Sequence, residues 1–373
     1  MNSAVAGFPS LVRAMGAIVR GDGEALREIL IAAEPGAVLH QAVRHKCTGP
    51  LLAGISSLGA RDPQLRVLLT DLRAHGRVAV LQNFAVERQL AAIVAALNDA
   101  GAEPVLLKGA ARLHRGARNA QWNALCDLDL MIRQEHAEVT IAALAQLGYS
   151  QRCDAAEAGR YRRLHHHLAP LIHSGDWKPV ELHLALAPPQ SLSLRTDREA
   201  LAPYLEIVEG TAGRARCLNE LGTALHLAIH GIGLDRLYDV VQLALLFGEQ
   251  PQLYAELGRL LAAERIQSIA LRAGVRLAAR YARFQVPAEA EVQAYLNWAM
   301  RREDLPDSLR SRAQFVDAWY GNGRRIFGPA TRLALPHFGA GWPLADAVLA
   351  PVRTIGRIAS SLSAAACATR MLL

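Results

Sequence analysis

Cysteine is scarce in this chain and badly placed for cross-linking. The five residues, Cys47, Cys126, Cys153, Cys217 and Cys367, are odd in number, scattered and without a C-x-x-C pair among 373 positions. That pattern argues against a disulfide framework and a zinc knuckle, and it suits a reducing compartment. No uninterrupted apolar run reaches the length needed to cross a bilayer. The segment from Met1 to Val19 lacks the charged start and clean hydrophobic core of a signal peptide, because Arg13 breaks it. A cytoplasmic location is therefore the expectation. A long basic tract with interleaved aromatics is missing too, so nucleic acid is not the favoured partner. There is no internal repeat and no low-complexity linker.

What the chain does have is apolar content and a mild positive charge. Hydrophobic residues make up 51% of the 373 positions, enough for a substantial core and for two or three domains. The 41 basic residues exceed the 34 acidic ones to give a formal charge of +7 and a pI near 9.4. The excess is spread along the chain, and it favours phosphate-bearing small partners over a dedicated polyanion surface.

The first eighty residues read as short helices cut by Gly21-Asp22-Gly23, Pro35-Gly36 and Gly49-Pro50. Asp62-Pro63 then opens a long helix running to Ala100, with Leu81, Phe84, Leu90, Ile93, Val94 and Leu97 at helical spacings. After Asp99-Ala100-Gly101-Ala102 the period changes. Strand 104–107, helix 109–116, strand 127–132, helix 135–147 and a hairpin across 162–185 follow in order. Beyond Pro188-Pro189 the expectation is helix again, at Asn219 to Gly231, Asp235 to Phe247, Pro251 to Ala263 and Arg265 to Phe284. The domain reading is a helical region 1–80, a catalytic module 81–190, and a helical region 191–373 with a basic tail.

Chemistry concentrates in the middle. In Cys126-Asp127-Leu128-Asp129-Leu130-Met131-Ile132, alternate side chains of a strand share a face, so Asp127 and Asp129 project one way while Leu128 and Leu130 pack behind. A third acid, Glu181, lies in the apolar run Val180-Glu181-Leu182-His183-Leu184 after the turn residues Ser174-Gly175-Asp176. Side by side, the two strands would gather three carboxylates. Such a cluster repels itself unless a cation occupies it, and hard oxygen ligands favour Mg²⁺ or Mn²⁺ over zinc. On this reasoning Asp127→Asn and Asp129→Asn should leave the fold intact or stabilise it. His183 shares the face of Glu181 and could orient a carboxylate or touch a phosphate. Lys108-Gly109 sits at a strand-to-helix turn, where backbone N–H groups favour anions.

The order of a glycine turn, an Asp-x-Asp strand and a third acid on a later strand resembles nucleotidyltransferases of the DNA polymerase beta type. More narrowly, Leu107-Lys108-Gly109, Asp127-Leu128-Asp129-Leu130, Glu181-Leu182-His183 and His226-x-x-x-His230 resemble a bacterial family of uncharacterised nucleotidyltransferases, from about residue 80 to the tail. The resemblance implies an α+β fold, with a small mixed-sheet core between N- and C-terminal helical regions. It implies that Asp127 and Asp129 hold Mg²⁺ or Mn²⁺ on an NTP co-substrate. Glu181 would complete the metal site and help deprotonate an acceptor hydroxyl, while Lys108 and Gly109 hold phosphates. The acceptor would be a small molecule, a sugar or a peptide, in natural-product or polysaccharide biosynthesis.

Departures from the family pattern keep other readings open. Gly109-Ala110 stands where relatives show Gly-Ser or Gly-Gly, and Trp122-Asn123-Ala124 stands where they carry an arginine, with Arg118 a little upstream. A catalytically inactive nucleotide- or protein-binding scaffold of the same fold is the alternative. His165-His166-His167 suggests metal binding, but strand alternation would put His166 opposite its neighbours, so other roles are favoured. His226 and His230 share a helix face without the glutamate of a zinc peptidase motif; resemblance implies that they face the cleft with Asp239. Residues 344–373, with Arg353, Arg357 and Arg370 and only Asp346 in opposition, could touch a membrane surface. Packing of that tail on the helical region is the favoured expectation.

Overall fold

Turn residues cut the N-terminal layer into four short helices, α1 (Ser3–Arg20), α2 (Gly23–Ile31), α3 (Pro35–Arg44) and α4 (Thr48–Ser57). The computed structural model describes residues 3–59, 62–117, 123–151, 153, 158–159, 166–187, 194–230, 237–263, 275 and 277–282. Arg118, Trp122, His165, most of the expected helix 265–284 and the tail 344–373 lie outside those residues. Asp22 caps α2 by accepting the Ala25 N–H at 3.1 Å, and Glu34 caps α3 ahead of Pro35. A side-chain acceptor satisfies N–H groups that the first turn leaves unpaired, and proline at the first position has no N–H to lose.

The same Asp-Pro device starts α5 (Pro63–Asp99), 37 residues long, where the Asp62 carboxylate accepts the Gln64 N–H at 2.8 Å. Leu90, Ile93, Val94 and Leu97 are buried as expected, but Leu81 and Phe84 are 72% and 58% exposed. Going round the helix at 100° per residue, Leu81 falls opposite Leu90. The inward stripe continues instead through Val86, Asn83 and Ala79. An apolar count misread this helix because a buried amide takes a core position.

By length and composition α5 could cross a membrane. In the fold it joins two cores. Leu65, Leu68, Leu69 and Leu72 pack with the N-terminal helices, and Val86 through Leu97 pack with the sheet. Its buried amides also hold loops. Gln89 donates to Tyr149 Oη and the Lys178 carbonyl and accepts the Lys178 N–H, at 2.6, 2.8 and 3.0 Å. Asn83 donates to the Asn123 carbonyl and accepts the Leu125 N–H, at 3.0 and 3.1 Å. These loops lead into the strands that carry the acids.

Among the described residues the mixed sheet has seven strands, in the order β3-β4-β5-β2-β1-β7-β6. They are β1 (Val105–Leu106), β2 (Leu128–Met131), β3 (Tyr149–Gln151), β4 (Leu171–His173), β5 (Val180–His183), β6 (Leu205–Gly210) and β7 (Gly213–Leu218). Strand β2 runs parallel to β5 and antiparallel to β1, and β1 runs parallel to β7. Helices α6 (Lys108–His114) and α7 (Ala137–Gln146) fall where the change of period put them. The α+β class with flanking helices is the observed one.

Among the described residues beyond Pro189, however, α-helix is not the first regular element. The β6/β7 hairpin comes first, turning at Gly213 with φ +81°, and β3 was also unforeseen. Glu206, Glu209, Arg214 and Arg216 hide the alternation of that hairpin, as suits an edge strand and its neighbour. Then α8 (Glu220–His230), α9 (Leu237–Glu249) and α10 (Gln252–Ala263) follow the expected spans within a few residues. Helix α9 is tied to the N-terminal layer by the Leu237 N–H to His45 Nδ1 at 3.4 Å.

Candidate functional site

Strand alternation decides which side chains meet. Leu128, Leu130, Val180 and Leu182 enter the core shared with α5, whereas Met131 belongs to the core shared with the terminal helices. Asp129, Glu181 and His183 therefore share the second face. The parallel register pairs Asp129 with Glu181 and Met131 with His183. Neighbouring strands lie about 4.8 Å apart, so a residue and its partner on one face are in reach of a common ligand. One ligand atom each from Asp129, Glu181 and His183 lies within 4.8 Å of the other two.

Asp129 is the centre of this group. Its Oδ1 accepts from Lys108 Nζ at 2.8 Å and from His183 Nε2 at 2.7 Å, and His183 Nε2 stands 3.9 Å from Glu181 Oε2. Burial pushes the Asp129 carboxyl up, but the Lys108 charge and the His183 hydrogen bond outweigh it and hold the group well below the usual carboxylate range. Burial is the main reason that His183 is held below the ordinary histidine value, against the pull of Asp129. An ionised carboxylate only accepts, so the His183 proton sits on Nε2; Nδ1 is buried without a hydrogen-bond partner among the described residues.

The turn from β1 into α6 supplies the lysine. Lys108 has φ +43°, a left-handed conformation that a non-glycine residue adopts at a cost of about 1–2 kcal/mol and that often marks a functional turn. Gly109 has a packing reason: a Cβ there would run into the end of Leu125, in the loop that Asn83 holds. Helix α6 has only seven residues, so its terminus adds little to the field of Lys108 itself.

The expected residues are only partly gathered. Asp129, Glu181, His183 and Lys108 come together, with Gly109 beside them. Asp127 lies one residue before β2, half-buried, and is not in the convergent group. Arg118 and His165 are outside the described residues. Strict alternation fails for the other two histidines, because the rings of both His166 and His167 lie near His183, at 5.2 and 5.4 Å. His167 pairs with His183 in an antiparallel bridge, whose hydrogen bonds run from the Leu184 N–H to the His166 carbonyl and from the Leu168 N–H to the Leu182 carbonyl, both at 2.8 Å.

Helices α8 and α9 share a core with Met131 of β2 and with Val105 and Leu107. His230 Nδ1 lies 2.7 Å from Asp239 Oδ2, and the His226 and His230 rings are 6.1 Å apart. Burial, then the charges of Lys108, His230 and His183, hold the His226 imidazole well below its ordinary value. Sequence reasoning missed Arg112, whose guanidinium stands 4.8 Å over the ring of Tyr238. Its spacing of four from Lys108, one helical turn, was the available signal. Asn83 and Gln89 carried none.

Two carboxylates, an imidazole and an adjacent ammonium can hold a divalent cation and an anionic ligand together. The donor set fits a metal, since Asp129 is kept ionised and Glu181 is open on one side, 26% exposed. A family model described as an uncharacterised nucleotidyltransferase matches residues 32–285, starting before the quoted motifs and stopping short of the tail. No curated protein and no solved structure matches.

Proposed function

The chain belongs to this family of uncharacterised nucleotidyltransferases, and from that premise we propose that it transfers a nucleoside monophosphate from an NTP to a hydroxyl of a small molecule, sugar or peptide. The observation that carries the reading is the pairing of Asp129 with Glu181 on adjacent parallel strands, with Lys108 against the same carboxylate. Asp129 and Glu181, with Asp127 at the strand entrance, would hold Mg²⁺ or Mn²⁺. When bound, that ion neutralises charge on the α-phosphate and on the departing pyrophosphate.

The chain's own residues do the rest. Lys108 offers its ammonium to the phosphates, and Glu181, the more exposed acid, takes the proton of the acceptor hydroxyl as that oxygen attacks the α-phosphorus. The O–Pα bond forms as the bond to pyrophosphate breaks in line. Helices α8 and α9 form the acceptor wall, with His226, His230 and Asp239 facing it. The wider relation to the DNA polymerase beta type is part of the proposal, as are a natural-product or polysaccharide acceptor and a cytoplasmic setting, the latter supported by the unlinked cysteines Cys47, Cys126 and Cys217.

Calorimetry of each common NTP with and without chelator tests the reading. NTP should bind only with the divalent ion, because adjacent carboxylates repel an uncompensated triphosphate. Equal affinity in both conditions would remove the metal-nucleotide site. Pyrophosphate release from α-labelled NTP, stimulated by a small-molecule cell extract and abolished by Asp129→Asn, would establish transfer.

A further inference from the structure

We infer that His183 is itself a ligand of the cation, and that the site therefore takes a first-row transition ion, Mn²⁺, in preference to Mg²⁺. The inference rests on the proposed metal-dependent reading and says which ion that reading implies. Three acids, as the sequence suggests, would make an all-oxygen site suited to Mg²⁺. The folded chain gathers a different trio, Asp129, Glu181 and His183, from which Asp127 is missing.

Position argues that His183 is a ligand and not only a carboxylate orienter. Nε2 stands between both carboxylates, 2.7 Å from Asp129 and 3.9 Å from Glu181. A ligating histidine presents one ring nitrogen to the same point as the carboxylate oxygens and keeps the other turned away from the cation. Here the nitrogen that touches Asp129 is the one inside the cluster. The other, Nδ1, is buried with no hydrogen-bond partner among the described residues. The ring cannot readily turn away, since its residue is 1% exposed, sits in strand register opposite Met131 and is flanked by the rings of His166 and His167.

Proton accounting permits coordination without a change of charge. Moving the imidazole proton from Nε2 to Nδ1 frees the Nε2 lone pair and leaves the ring neutral. Two oxygens and one nitrogen then face one point. Mg²⁺ binds through oxygen and keeps its waters, whereas imidazole suits the transition ions, and carboxylates suit Mn²⁺ as well. Zn²⁺ accepts the same donors and ranks above Mn²⁺ in intrinsic affinity. The discrimination inferred here is against Mg²⁺.

Pulsed electron paramagnetic resonance on the full chain loaded with Mn²⁺ alone reads the bond directly. The echo should carry ¹⁴N modulation of a directly bound imidazole, and the modulation should change when the histidines are labelled with ¹⁵N. Because this arm uses the native protein, it holds even if a variant at the buried position fails to fold. Calorimetry should show that His183→Gln lowers Mn²⁺ affinity by about tenfold or more while Mg²⁺ affinity moves by less than about threefold. Mn²⁺ bound without ¹⁴N modulation, or an equal loss for both ions, would overturn the inference yet leave an oxygen-ligand nucleotide site standing. Native protein that binds no Mn²⁺, and binds NTP equally well in chelator, would overturn both.

Discussion

Asp129→Asn separates a repelled carboxylate from a counter-ion. Repulsion among three acids would make this change neutral or stabilising, as the sequence alone suggests. The folded chain says otherwise, because Oδ1 accepts from both Lys108 and His183 while its side chain is only 6% exposed. Removing one partner of a buried ion pair costs about 3–5 kcal/mol. The Lys108 side chain is 19% exposed and can be partly rehydrated, and the asparagine oxygen still accepts, so we expect roughly 1–3 kcal/mol. Urea unfolding at pH 7 should show a lower midpoint with an unchanged slope. The pH dependence has a definite sign. Since the folded group is held below its ordinary value, its stabilisation is full above the unfolded pKa and is lost as pH falls through the folded one. The gap between wild type and variant should therefore narrow on acidification below about pH 4. A variant as stable as wild type at pH 7, or a gap that does not narrow, would refute the counter-ion argument.

Three further outcomes are expected. Lys108→Met removes a like charge beside the cation, so Mn²⁺ alone should bind about tenfold tighter while its NTP complex binds more weakly; calorimetry showing both moving together would count against the lysine's double role. Gly109→Ala drives a methyl group into Leu125 and should cost about 1–3 kcal/mol, and Leu125→Ala in the same chain should restore part of it; simple additivity in the double-mutant cycle would mean that the two do not meet. Hydrogen bonding to Arg216 lowers the Glu103 carboxyl despite some burial, with Arg198 adding to the effect. Its contribution is thus present above the ordinary glutamate value and lost as pH falls through the lowered one, so wild type should lose more stability on acidification than Glu103→Gln, and parallel urea midpoints would contradict this.

How much of the site could be read in advance follows from the range of each signal. Asp62-Pro63 announced α5, and the change of period after Gly101 announced β1 and α6, because caps and periodicity are local. Likewise, alternation through Leu128-Asp129-Leu130 and Val180-Glu181-Leu182-His183 made the polar residues of each strand share a face, whatever the strands later met. The partner of each strand was another matter. Ladder hydrogen bonds are made by backbone, which is the same at every residue, so nothing local states that β2 lies between β5 and β1 or that β7 joins them from beyond residue 200. That pairing left Asp127 outside the strand, brought in His183, and set Lys108 against Asp129 across 21 positions of chain. Burial of Asn83 in place of Leu81 has the same cause. A side chain's polarity is local, whereas the loop that satisfies its hydrogen bonds is 40 or more residues away, and only folding brings the two together.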